Sequence, residues 1–403
     1  MRSIRKVFSN YPSFRQKIRR AFAKSAPLLS LLILFSSLIY AQQELPAAAN
    51  PGIRIEEPTS QGDLWEELLN HDPQWYSSGE ALHVADNILL YQRGSGGWPK
   101  NIDLLHHLTD AEKKELAEFI NEPLATIDNG ATYTQLRYLA RVYRANKDQR
   151  YVLAFLKGLD YLLKAQYANG GWPQFYPLRS GYYTHITFND DAMIGVLSLL
   201  RDLVRDRDKF DFVDENRCRL ARQALDKGID CTLKTQIRVD GQLTAWCAQH
   251  DEKSLKPVGA RRYELPSLSG KETVGIVQFL MEIENPTPPI VATVQGAVCW
   301  LDEVRLEGIR VIRVPDPSSP AGFNKVVISD PEAPSMWARF YRIESNRPFF
   351  SDRDGKIYEK LEEISSERRN DYGWLGYWPE EILAKHYPEW QKKWAPDDNV
   401  LNH

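Results

Sequence analysis

Three segments of the chain follow one plan. "ILLYQRGSGGWPKN", "YLLKAQYANGGWPQF" and "TLKTQIRVDGQLTAWCAQ" each pass from an apolar stretch through a glutamine and a glycine-containing turn to a tryptophan. The tryptophans are Trp98, Trp172 and Trp246, 74 residues apart on both occasions (172 − 98 and 246 − 172). Two stretches with apolar residues at i, i+3 and i+4 follow each one, the spacing of amphipathic helices. A helix pair recurring at a fixed period cannot bury its apolar face alone and must stack on its copies. The expected fold is therefore mainly α: an α/α toroid of three helix-pair repeats, (α/α)3-barrel-like, with one helix of each pair inside and the loops gathered at one end. Beyond residue 305 the phasing changes. "GIRVIRVPD" and "NKVVISD" read as short strands among irregular loops, and "PEEILAKHYPEWQKKW" as a last helix.

The tryptophan loops are unusual in composition. "YANGGWPQFYPL" holds two glycines and two prolines, which exclude regular structure, yet carries Trp172, Phe175 and Tyr176. Such aromatics either close the open end of a core or offer flat faces to sugar rings. Trp172 and Tyr176 are taken as substrate-binding candidates on the second reading.

Charge narrows the choice of partners. The net charge of −3 over 403 residues gives no general footing for nucleic acid. Residues 1–26 nevertheless contain eight basic residues and no acid, and "PLLSLLILFSSLIYA" and "QQELP" follow. That order is a secretory signal, with cleavage expected after Ala41; the apolar run is short for a membrane span. Residues 1–41 are read as the signal, 42–60 as a linker and 61–403 as the catalytic domain of a secreted or periplasmic protein, a monomer without stable membrane insertion. Four cysteines, Cys218, Cys231, Cys247 and Cys299, have no CxxC spacing and do not indicate zinc. A Cys218–Cys231 bridge and packed free thiols both remain open.

The starts of the inner helices carry the chemistry: "TIDNGATY", "TFNDDAMI" and "SLSGKETV". One acid at a helix start is an ordinary N-cap. Asn189, Asp190 and Asp191 in succession, matched one repeat earlier by Asp128 and Asn129, exceed that need. Brought together by a toroid, Asp128, Asp190 and Asp191 would form a pocket of hard oxygens that suits Ca²⁺. Downstream lies a basic set: Lys256, Arg261, Arg262 and Lys271, then Arg339, Arg342, Arg347 and Arg353, the later ones interleaved with aromatics. Guanidinium forks bind carboxylates bidentately. Acids, arginines and aromatics together point to an acidic polysaccharide.

"GGWPKN", "IDNGATYTQLRYLARVY", "KAQYANGGWPQFYP", "ITFNDDAM", "AWCAQHDEKSLKPVGARRYELPSLSG" and "WARFYRIESNRPFFSDRDG" resemble the pectate lyases of polysaccharide lyase family ten, in order, from about residue 60 to the C-terminus. The resemblance implies a toroid, cleavage of polygalacturonate by β-elimination, dependence on Ca²⁺ and an arginine as base. It matches Arg261 to the motif arginine, whereas Arg262 stands where the family has a small residue. On this basis Arg261 is the expected base, its pKa lowered by surrounding cations, and Asp128, Asp190 and Asp191 surround calcium. Arg262, Lys256, Arg339 and Arg353 join Trp172 and Tyr176 in holding substrate. His185 and His250 are weaker acid–base candidates. Two other classes fit part of the pattern: a glycoside hydrolase using paired aspartates, and a carbohydrate-binding protein without turnover.

Overall fold

In the computed structural model, which describes residues 61–401, helix pairs succeed one another along the chain. The expected signal and the 42–60 linker lie outside the described residues. The pairs are α1 (Gln61–Leu69) with α2 (Gly79–Tyr91), α4 (Tyr133–Asn146) with α5 (Gln149–Ala165), α6 (Ala192–Arg205) with α7 (Glu215–Thr235), and α8 (Glu272–Met281) with α9 (Pro288–Glu303); α3 (Asp110–Glu118) stands between the first two. First helices pack on first helices, α4 on α6 and α6 on α8, while α5, α7 and α9 pack in the same succession outside them. This is the α/α toroid.

The repeated motif proves to be a joint. Trp98, Trp172 and Trp246 are all fully buried. Each indole N–H donates to a carbonyl of the preceding helix: Ile88 at 2.7 Å, Leu162 at 2.8 Å and Thr232 at 2.8 Å. The glutamine of each copy spans two units. Gln92 Nε2 donates to Gly96 in its own turn and to Ala154 in α5; Gln166 does the same to Gly170 and Ala224 in α7, and Gln236 to Thr244 and Thr293 in α9. Gly96 (φ +109°) and Gly170 (φ +95°) take a backbone conformation that other residues rarely adopt. A Cβ on either would also press into a carbonyl of the neighbouring helix.

The indole bond, without the glutamine joint, recurs a fourth time where the spacing did not reveal it. Trp337 is buried and donates to Leu301 of α9 at 2.7 Å. A hairpin, β4 (Ile309–Pro315) with β5 (Phe323–Ser329), separates it from its helix and breaks the 74-residue period. The two expected strands are these.

The remaining strands are two-residue pairs that stitch loops together. β1 (Ile186–Thr187) pairs with β2 (Gln249–His250), β3 (Leu268–Ser269) with β7 (Phe340–Tyr341), and β6 (Trp337–Ala338) with β8 (Leu375–Gly376). A satellite core of Tyr263, Phe340, Phe349, Phe350, Tyr372 and Trp374 anchors the C-terminal loops. The last helix begins as a π turn, Ile382–His386, before α10 (Tyr387–Trp394). All four cysteines are free, so Cys218 and Cys231 are packed thiols. Among the described residues no helix is long and apolar enough to cross a membrane.

Candidate active site

The acid turns come from equivalent points of successive repeats. After each tryptophan loop the chain pairs with the loop's own carbonyl: Thr126 N donates to Trp98 O, Thr187 N to Trp172 O and Ser269 N to Trp246 O. Two residues later stand Asp128, Asn189 and Lys271. The turns Asp128–Gly130 and Asn189–Asp191 touch each other, and both meet the start of α6.

None of these acids caps a helix. The turns and helices that begin here have no side-chain cap bond at Asp191 or its counterparts. Asn129 (φ +50°), Asp190 (φ +49°) and Asp191 (φ +56°) are instead left-handed, a strain that asparagine and aspartate bear best. The side chains are thereby turned into the space between repeats.

Their environments differ. Asp128 is buried and pairs through Oδ2 with Lys100 of the first tryptophan loop, while its buried Oδ1 has no hydrogen-bond partner. Asp190 Oδ1 lies 3.3 Å from Lys271 Nζ and 3.5 Å from Arg339 Nη2. Burial alone would raise its pKa, but Arg339 and Lys271 outweigh it and hold the carboxyl down at about 2. Asp191 lodges against Gly275 of α8, where a Cβ would stand 2.1 Å from Oδ1. Crowding by protein atoms pushes its carboxyl up to about 6, helped by Glu272 and Asp190 and opposed by Lys271; solvent on its open side tempers the rise. Asp128, with its orphaned buried oxygen, and Asp190 and Asp191 stand on touching turns and offer hard oxygens of the kind a divalent cation such as Ca²⁺ takes, but among the described residues their carboxylate oxygens do not all come within 4.8 Å of one another.

Arginines collect beside the acids on two tyrosine rings. The Arg339 guanidinium lies 4.6 Å from the Tyr372 ring centre and the Arg261 guanidinium 5.8 Å from it. Tyr263, 5.5 Å from Tyr372 and edge-on to it, carries Arg261 at 4.9 Å, Arg368 at 4.6 Å and Arg353 at 5.9 Å. The interleaving of arginine with aromatics in the sequence is thus a stacked cluster.

Several expected roles change. Arg339 is 4% exposed and is bonded to Glu272 and, at 3.1 Å, to Asn189 Oδ1, so it holds the site together and is not free to grip a substrate. Trp172 is fully buried, which assigns its indole to the core and leaves no face for a sugar. Arg261 is gripped by Glu264: Nε donates to Oε2 at 2.8 Å, Nη2 reaches Oε1, and the backbone N–H adds a bond of 3.0 Å. Burial would lower the Arg261 pKa, but Glu264 more than reverses this and holds it above the ordinary guanidinium value. The expectation that surrounding cations depress it is therefore corrected. Arg353 forms a two-point pair with Glu367 at 2.7 and 2.6 Å, in solvent. Arg262 and Lys256 are exposed, and Arg262 reaches only the Asp354 carbonyl, at 3.5 Å. Tyr176 is half-buried, edge-on to Tyr161.

The histidines separate. His250 is fully buried, with Nδ1 2.9 Å from the Leu255 carbonyl and Nε2 accepting from Cys247 N at 3.1 Å. Burial pushes its pKa down to about 4, so it is a neutral structural residue. His185, Asp251 and Glu252 bring donor atoms within 4.8 Å of one another, but Asp251 Oδ1 already accepts from Lys253 N, Ser254 N and Ser254 Oγ in its own loop.

A sequence model of the pectic acid lyase family matches residues 92–383. The chain belongs to that family. Solved structures agree with this membership. A family 10 polysaccharide lyase from Cellvibrio cellulosa is 35% identical, with a TM-score of 0.68, covering 83% of this chain and 98% of its own. An aspartate-to-alanine mutant of a family 10 polysaccharide lyase from the same organism, in complex with trigalaturonic acid, is 34% identical, with a TM-score of 0.69, covering 84% and 100%. No curated protein sequence gives a significant match. Membership in the pectic acid lyase family makes this protein a polysaccharide lyase. Its site includes four residues for which the sequence reading proposed no role, Lys100, Glu264, Glu272 and Tyr372. Lys100 lies in the quoted "GGWPKN" and Glu264 follows Arg261 by three, but no pattern announced their partners.

Proposed function

We propose that this lyase is a secreted pectate lyase that cleaves polygalacturonate by calcium-assisted β-elimination with an arginine as base. The observation that carries the reading is continuity: Asp190 is 3.5 Å from Arg339, whose guanidinium rests on the ring that also carries Arg261. Carboxylates suited to a cation and forks suited to a uronate thus form one network, a combination that a neutral glycan does not require. The solved relative in complex with trigalaturonic acid supports the same substrate class.

Asp128, Asp190 and Asp191 would hold the calcium ion, which when bound stabilises the enolate-like charge on a uronate carboxylate as a Lewis acid. Lys100 pairs with Asp128, and Lys271 and Arg339 lie beside Asp190, which orients these two carboxylates. Removal of the C5 proton leaves its electron pair to form the C4–C5 double bond as the glycosidic oxygen departs. A guanidinium must first lose its own proton, and carboxylates oppose this at both candidates: Glu264 holds Arg261, and Glu367 holds Arg353, above the ordinary value. Arg261 is the motif arginine and its side chain reaches solvent, so we assign proton removal to Arg261 and place Arg353, Arg262, Lys256 and Tyr176 along the substrate path.

The test is incubation with polygalacturonate and calcium while ultraviolet absorbance is followed. An unsaturated product establishes the reading. New reducing ends without absorbance would show a hydrolase, and neither signal would show a binding protein.

A further inference from the structure

A second concentration of arginine lies at the other end of the helices that lead away from the acid turns. Arg141 is eight residues beyond the first residue of α4, about 12 Å along the helix axis. A cavity of about 600 Å³ opens here, bounded by the chain after α1, by α4 and by the end of α6. Arg137, Arg141, Arg144, Arg205 and Lys209 line it, with Asp202 and Asp206 as the acids and Tyr76 and Phe210 among its walls.

The two acids are already engaged. Asp202 accepts from Arg137 at 2.7 Å and from Arg201 at 3.3 Å, with Arg205 at 3.5 Å. Asp206 accepts from Arg205 and from Lys209, both at 2.9 Å. Among the described residues no carboxylate pairs with Arg141 or Arg144; Arg141 donates only to the Arg137 carbonyl, at 3.2 Å. Five cations against two acids leave the lining with an excess of three positive charges. Arg141 is also half-buried. Burial first, then Arg137 and Arg144, pull its guanidinium below the ordinary value, with Tyr76 and Asp202 opposing. A half-buried cation without a counter-charge is unfavourable until an anion arrives.

We propose that this cavity is a second, non-catalytic binding site for a small oxyanion, a carboxylate or phosphate group on a ligand no larger than one or two sugar rings. The volume falls in the range of small-molecule pockets. Two neighbouring guanidinium groups offer the paired N–H donors that such groups accept. An aromatic wall at Tyr76 and Phe210 gives a ring a surface to lie on.

The experiment measures the melting temperature of the full chain, without calcium, at constant ionic strength, against increasing sodium phosphate and, separately, sodium galacturonate. A ligand that binds only the folded protein raises the melting temperature saturably. The wild type is expected to show this rise with at least one of the two anions. Arg141→Met and Arg144→Met should each need at least tenfold more anion for the same rise, and Asp190→Asn, altered in the cleft, should behave as the wild type. A rise with phosphate alone assigns the site to phosphate groups, with galacturonate alone to uronates, and with both to oxyanions generally. No saturable rise, or equal rises in the wild type and both arginine variants, would overturn the proposal. None of these readings depends on turnover, so failure of the lyase reading would be seen separately.

Discussion

Arg339 Nη2 lies 3.5 Å from Asp190 Oδ1. The guanidinium is buried, and the same nitrogen bonds Glu272. Removing one partner of a buried ion pair strands the other. Arg339→Met should therefore cost about 3–5 kcal/mol of stability. Denaturant unfolding checks this, and the double variant with Glu272→Gln should lose less than the two single losses combined. Additive losses would mean that the pair does not stabilise the fold.

Asp190→Asn keeps a residue that tolerates the left-handed backbone but removes the charge. Melting should fall, because the Asp190 carboxylate also pairs with Lys271 and buried Arg339. The calcium concentration for half-maximal activity should rise at least tenfold, by loss of one charged oxygen donor. Activity assayed over a calcium series decides this. An unchanged calcium dependence would remove Asp190 from the metal site.

Arg261→Lys and Arg353→Lys distinguish anchor from base. Lysine retains charge but loses the planar fork and moves the accepting nitrogen. A base displaced by about 1 Å can cost on the order of 10²-fold in turnover. That loss is expected in Arg261→Lys with KM little changed, whereas Arg353→Lys should chiefly raise KM. Arg262→Ala restores the small residue of the family motif and should be tolerated. A collapse of turnover confined to Arg353→Lys would move the base to Arg353.

His250 supplies a pH dependence of stability. Burial lowers its pKa from the ordinary 6.5 to about 4 in the folded protein. Between these values the unfolded chain binds more protons, so stability decreases as the pH falls below about 6.5 and levels off below about 4. The contribution is on the order of 3 kcal/mol. Melting measured from pH 7 to pH 4 should show it, and His250→Gln should flatten this part of the curve. The same slope in both proteins would exclude His250 as its source.

The sequence made the toroid legible because one set of residues makes one set of bonds three times. Equal spacing of Trp98, Trp172 and Trp246 is visible only because their loops have matching lengths. Trp337 makes the same helix bond but was hidden behind the β4–β5 hairpin. The acids were legible as an excess over what helix caps require. Glu264, Glu272 and Lys100 were not, because their roles arise from contacts that no local pattern encodes. Glu272 meets Arg339 across 67 residues. Arg261 illustrates the limit best. Its place in a basic stretch suggested a depressed pKa, yet one carboxylate three residues away reverses the direction.

The glutamine joints bear on how such a ring could be lengthened or built. The middle units carry both a side chain that reaches forward, as Gln166 does to Ala224, and a helix carbonyl that receives, as Ala154 does from Gln92. A tandem duplication of one unit would therefore arrive with its own fastenings at both ends. Growth by copying requires no new interface to be invented, and each added copy would deliver another turn for side chains at the same rim.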